Sequence, residues 1–147
     1  MKRYLLHPEV AGGFGPGTEI LNRPELEAGN VRVPLVGDLE YEFEGWLGDD
    51  LLETFPCFIV SNALGEAIRR SPLTGYSLGP VRVTRSEQFE ELYPGRELPP
   101  FYRLNVSGGE TDDFSMTAKA ELIVSEQALA LLRENGSLQH CEITELS

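Results

Sequence analysis

Between residues 38 and 44 the chain alternates with a period of two: Leu39, Tyr41 and Phe43 are interleaved with Asp38, Glu40, Glu42 and Glu44. This period predicts a half-buried strand with one face on the core and one face of carboxylates. Two other stretches share a phrase. FIVSNALGEAIRR (residues 58–70) and LIVSEQALALLRE (122–134) superpose without a gap, Ile-Val-Ser on Ile-Val-Ser and Arg69 on Arg133. In each, a short apolar β-run ends in a serine, Ser61 or Ser125, placed to accept a hydrogen bond from the first turn of a helix. Ala63, Leu64, Ala67 and Ile68 then recur at helical spacing, as do Ala128, Leu129, Leu131 and Leu132. Pro72 and Gly75 stop the first helix, and Asn135-Gly136 the second. VRVT, with Val81 and Val83 on one face, and CEIT, with Cys141 and Ile143 on one face, complete the two copies. The prediction is a strand–serine cap–helix–strand unit used twice, over 57–84 and 121–146.

Elsewhere the pattern is plainer. Residues 3–7 predict a first strand, and the Gly, Pro and Asn content of 11–30 predicts loop. VRVPLV (31–36) predicts a short strand that Pro34 puts at an edge or an end. LGDDLLETFP (47–56) reads as a turn or short helix. SEQFEELYPGRELPP (86–100) is polar and proline-bounded, FYRLNV (101–106) is a strand, and SGGETDDFS (107–115) is a loop. The expected fold is α+β: one domain over 1–147, with a mixed, mainly antiparallel sheet and two short helices. Residues 1–56 supply the N-terminal strands and a glycine-rich loop.

Charge narrows the functional classes. The chain carries 24 acidic and 12 basic residues, a net charge of −12, which disfavours phosphate backbones and anionic lipid and leaves room for a basic protein partner, although composition alone fits an ordinary acidic bacterial cytosolic protein better. Its apolar runs are too short to span a bilayer. The basic start MKRYLLHPEV has no extended apolar stretch and reads as mature, cytoplasmic protein. Cys57 and Cys141 fit two free thiols better than a disulfide framework.

Candidate chemistry is sparse. GGFGPG (Gly12–Gly17) invites a phosphate-loop reading, but Thr18 stands where the dinucleotide pattern needs glycine, and no Gly-Lys-Ser/Thr follows. A turn-rich structural loop is the expectation. His7 and His140, with the two cysteines, show no metal-ligand spacing, so neither metal nor cofactor is expected. His140 and Cys141 are neighbours that a strand would point to opposite faces, so they form no dyad by themselves, and a Cys–His pair would have to be assembled through the fold. The carboxylate row is too widely spaced to chelate one ion. It reads either as a solvated strand face, neutralised in part by Arg32 or Arg82, or as a docking stripe for a cationic partner. In the second reading Asp38, Glu40, Glu42, Glu44, Asp49 and Asp50 supply negative potential, and Trp46 supplies an aromatic anchor.

EGWLGDDLLETFPCFIVS, LTGYSLGPVRVT, SEQFEELYPGRELPPF and DDFSMTAKAELIVSEQALALLR form a set. Over about residues 40–145 that set resembles small bacterial proteins among, or adjacent to, the immunity proteins of polymorphic toxin systems. The resemblance lies in Ile59-Val60-Ser61, Leu73-Thr74-Gly75, Val81-Arg82-Val83 and Ile123-Val124-Ser125. It implies a cytoplasmic, non-enzymatic protein that binds and neutralises a cognate toxin, and it carries over no catalytic residue. The alternative is a small enzyme or ligand-binding domain built on the Gly12–Gly17 loop and a pocket near His7.

Overall fold

The computed structural model describes residues 2–146 as an α+β fold in which eleven strands form three sheets and four helices pack against them. Both predicted serine caps are present. Strand β5 (Cys57–Ser61) runs into helix α2 (Asn62–Arg69), and the Ser61 hydroxyl accepts from the Leu64 amide at 3.3 Å. Strand β10 (Leu122–Ser125) runs into α4 (Glu126–Asn135), and Ser125 accepts from Ala128 at 3.1 Å.

The repeat goes further than the shared phrase. Each β-run is the second strand of a hairpin, preceded by β4 (Leu51–Thr54) or β9 (Phe114–Met116). Each hairpin is preceded by an Asp-Asp pair. Ser61 donates its hydroxyl to Asp50 at 2.7 Å, and Ser125 donates to Asp113 at 2.6 Å. The serine amides bond back to the carbonyls of the same aspartates, at 2.8 and 2.9 Å. In both copies one aspartate and one serine therefore close the hairpin and start the helix.

The strand after each helix corrects one expectation. β11 (Glu142–Leu146) does complete the second copy, but its counterpart is β6 (Tyr76–Gly79), not VRVT. The copies are also interlaced. One four-stranded sheet has the order β4-β5-β8-β6, with β8 (Phe101–Val106) between the hairpin and the last strand of the first copy. The other has the order β9-β10-β1-β11, with β1 (Arg3–His7) in the same place in the second copy. Each copy thus lends a central antiparallel strand to the other's sheet.

The registers match. Tyr4 and Leu6 face Val124 and Leu122, as Tyr102 and Leu104 face Val60 and Phe58. Leu6 pairs with Ile143 as Leu104 pairs with Leu78, and Phe114 pairs with Val124 as Leu51 pairs with Val60. These residues share one core with Leu64, Ile68, Ala128 and Leu132 of the two packed helices. Burying each such large side chain contributes about 1.5–3 kcal/mol.

A third sheet covers the outer face of the first. It has the order β2-β3-β7, from β2 (Gly12–Phe14), β3 (Glu40–Phe43) and β7 (Arg82–Arg85). VRVT sits here, parallel to β3. Leu39, Tyr41 and Phe43 point into a second core with Leu52, Ile59, Phe89 and Phe101, as the alternation predicts. Two further helices lie outside the repeated unit, one in the stretch 11–30 expected to be loop and one in the polar, proline-bounded stretch 86–100. α3 (Glu87–Leu92) is capped by Ser86 and anchored by Phe89, and α1 (Arg23–Glu27) carries Pro24 in its first turn, where no amide partner is needed. Residues 31–36 form no extended strand; only Val36 makes an isolated bridge, to Ile20. Among the described residues no helix is long and apolar enough to cross a membrane.

Candidate functional site

The carboxylate row is not the open stripe its alternation predicts. β3 is paired on both edges, and the glycine-rich loop folds across its even-numbered face. Glu40 is buried beneath that loop. Its Oε1 accepts from the Gly17 amide at 3.2 Å and from the Arg82 guanidinium at 3.3 Å, and its Oε2 accepts from Thr84 Oγ1 at 3.2 Å. The Glu40 carbonyl accepts from the Gly15 amide at 2.8 Å and the Thr18 hydroxyl at 3.0 Å. A Cβ on Gly15 would overlap the Glu40 carboxylate, and one on Gly17 would meet both Glu40 and Arg82. The glycines at these two positions thus serve close approach. The loop does cradle an anion, but the anion is the protein's own carboxylate, which leaves no place there for a phosphate.

Three other members of the expected stripe are also committed internally. Asp50 is held by Ser61 and by the Ser137 amide, at 2.6 Å from the latter. Asp49 is fully buried. Trp46 is half-buried: its indole N–H donates to the Asp49 carbonyl at 2.9 Å, and the Arg96 guanidinium lies 4.6 Å from its ring centre. It packs edge-on against Phe43 and Phe101, so it belongs to the second core and is not a free anchor. Asp38 and Glu44 remain exposed, and Glu42 is half-buried.

What the fold assembles instead lies at the other end of β3. Residues Glu9–Gly12, Glu44–Leu47 and the α3 residues Gln88 and, just beyond its end, Tyr93 line a shallow groove of about 310 Å³. Val10 and Leu47 stand at it 67% and 62% exposed, far more than aliphatic side chains of a core strand would be. Glu44 is the exposed acid of the same lining. Tyr41 supports the groove from below: its hydroxyl accepts from the Ala11 amide and donates to the Glu53 carbonyl, both at 3.0 Å. Burial pushes its phenol well above the ordinary range.

Behind the groove sits a cluster that no local spacing announces. Glu9 accepts from the Leu47 amide at 2.7 Å and from the Asp49 amide at 3.2 Å. Asp49 accepts from the His140 amide at 2.8 Å and from Ser137 Oγ at 3.2 Å, and His140 Nδ1 lies 3.2 Å from Asp49 Oδ1. A histidine–carboxylate pair therefore exists between residues far apart in sequence, which no local spacing of titratable residues announces. The carboxylate stands between Ser137 and the imidazole, so His140 does not bridge acid to hydroxyl as a Ser-His-Asp triad requires. Cys141, next to it, is pushed up to about 12 by burial and by the Asp49 charge, which keeps it a thiol at neutral pH. Cys57 is also raised by burial, although Arg103 beside it works the other way. Both cysteines are free.

His7 lies on the outer face of β1, with Nε2 3.1 Å from Glu121 and Nδ1 3.9 Å from Glu142. Hydrogen bonds from His7 and Thr117 hold the Glu121 carboxyl below its usual range. No family model matches this chain, and no curated protein matches it.

Proposed function

We propose that this is an acidic, non-enzymatic binding protein of the cytoplasm, of the immunity type, that docks a basic protein toxin at the groove between residues 9–12 and 44–47. One observation carries the reading: two exposed aliphatic side chains, Val10 and Leu47, flank a groove that also holds the exposed Glu44, in a chain of net charge −12. Apolar contact supplies affinity at such a site, and surrounding negative potential speeds the encounter with a cationic partner. The docking surface is thereby narrower than the sequence alone predicts. Glu44 stays in it with the half-buried Trp46 in the groove lining, Asp38 and Glu42 contribute only long-range potential, and Glu40, Asp49 and Asp50 act within the fold.

The experiment is affinity capture from the native cell, identification of the captured protein, and kinetics on the purified pair. The expected partner is basic. Leu47→Ala should weaken binding by roughly 1 kcal/mol or more. Glu44→Gln should slow association at low salt while leaving dissociation nearly unchanged. An acidic partner, or a basic one whose binding ignores both substitutions, overturns the proposal.

A further inference from the structure

We propose that Glu9, Asp49 and His140 form a binding site for a divalent transition-metal ion of the zinc class. One ligand atom from each lies within 4.8 Å of the others. The three come from separate segments: the chain leaving β1, the turn before β4, and the loop between α4 and β11.

Charge is the first argument. Asp49 is 0% exposed and Glu9 is 7% exposed. Among the described residues neither carboxylate has a lysine or arginine within ion-pair distance, and the half-exposed imidazole is the one basic group on Asp49. Two carboxylates buried side by side repel each other and lose hydration, and a divalent cation answers both. Glu40, the other buried glutamate of this half of the molecule, does have its arginine.

Geometry is the second argument. Backbone amides of Leu47, Asp49 and His140 hold both carboxylates in place, as outer partners do around metal ligands. A carboxylate oxygen that accepts one such bond keeps another lone pair for a metal. The 3.2 Å between His140 Nδ1 and Asp49 Oδ1 suits two ligands of one ion. Bonds of about 2.0 Å in a tetrahedral shell put neighbouring ligand atoms about 3.3 Å apart. One imidazole nitrogen with two carboxylates favours zinc over magnesium, which prefers an all-oxygen octahedron. Neutral His140 would bind through Nδ1. Because Glu9 also lines the groove, the ion would stiffen the groove floor. The site stands whether or not a toxin docks there.

The test is calorimetric titration of the chelator-treated full-length protein with zinc sulfate, backed by thermal unfolding with and without zinc. The expected result is one ion per chain, a raised midpoint, and a shifted His140 Nδ1 resonance. His140→Ala, at a half-exposed position, should keep the circular dichroism of the parent yet lose at least about tenfold in zinc affinity, the loss that outer partners alone can produce. His7→Ala, beside two other glutamates, should bind zinc like the parent. Absence of zinc binding overturns the proposal. So does zinc affinity that survives His140→Ala, or that falls equally in His7→Ala, since either places the ion elsewhere on the acidic surface.

Discussion

At the scale of single residues, several carboxylates serve this protein as acceptors for its own backbone and hydroxyls. Asp113 shows the principle. Burial works to raise its carboxyl, but hydrogen bonds from Ser125 and from the amide and hydroxyl of Thr74 outweigh it, and the group sits below its ordinary 3.8. A carboxylate whose folded-state pKa is depressed stabilises the fold fully above the unfolded value and loses that contribution as pH falls through the folded one. Asp113→Asn should therefore cost about 1.5 kcal/mol at neutral pH, from weaker hydrogen bonds to a neutral acceptor. The gap between variant and parent should close as the pH is taken below 3.8. Denaturant unfolding at a series of pH values checks this, and a gap that stays constant into acid counts against it.

At the scale of elements, the recurring device is a serine that ends a strand and opens a helix. Ser61 and Ser125 each accept from a helix amide and donate to an aspartate upstream of the hairpin. Ser61→Ala or Ser125→Ala should each cost on the order of 1–2 kcal/mol, the upper figure including the bond lost to the aspartate. The two variants should cost nearly the same, because the two sites are equivalent in the fold. A stability change near zero in either contradicts the assigned geometry. Ser86 repeats the device before α3, and its Ser-Glu-Gln matches residues 125–127. That match is the signal by which α3 can be found in the sequence.

At the scale of the whole molecule, the two copies cannot be separated without breaking both four-stranded sheets, because β1 and β8 are each central in the other copy's sheet. Cutting the chain in the loop between α3 and β8 gives fragments 1–98 and 99–147, each lacking a central strand for one sheet. Neither fragment should fold alone, and mixing them should restore a one-to-one complex with the parent circular dichroism. Size-exclusion chromatography of the separate and mixed fragments decides the matter. A cooperatively folded 99–147 fragment would show that the interlacing is not required.

Local chemistry was legible in the sequence. The period of two placed Leu39, Tyr41 and Phe43 in the core, and the repeated Ile-Val-Ser placed two caps and two amphipathic helices, since periodicity and capping depend on near neighbours. The α+β class followed from that mixture of periods. Partnership across the fold was not legible. The same alternation that buries Tyr41 leaves Glu40 free to face solvent or to be covered, and the glycine loop that covers it is distant in sequence. The valine alternation of VRVT singled it out as the strand after α2, whereas pairing with β8 selects YSLG and sends VRVT to β3. Glu9, Asp49 and His140 share no spacing at all. Only the closure of the β1 sheet against the turn before β4 brings two carboxylates and an imidazole within reach of one another.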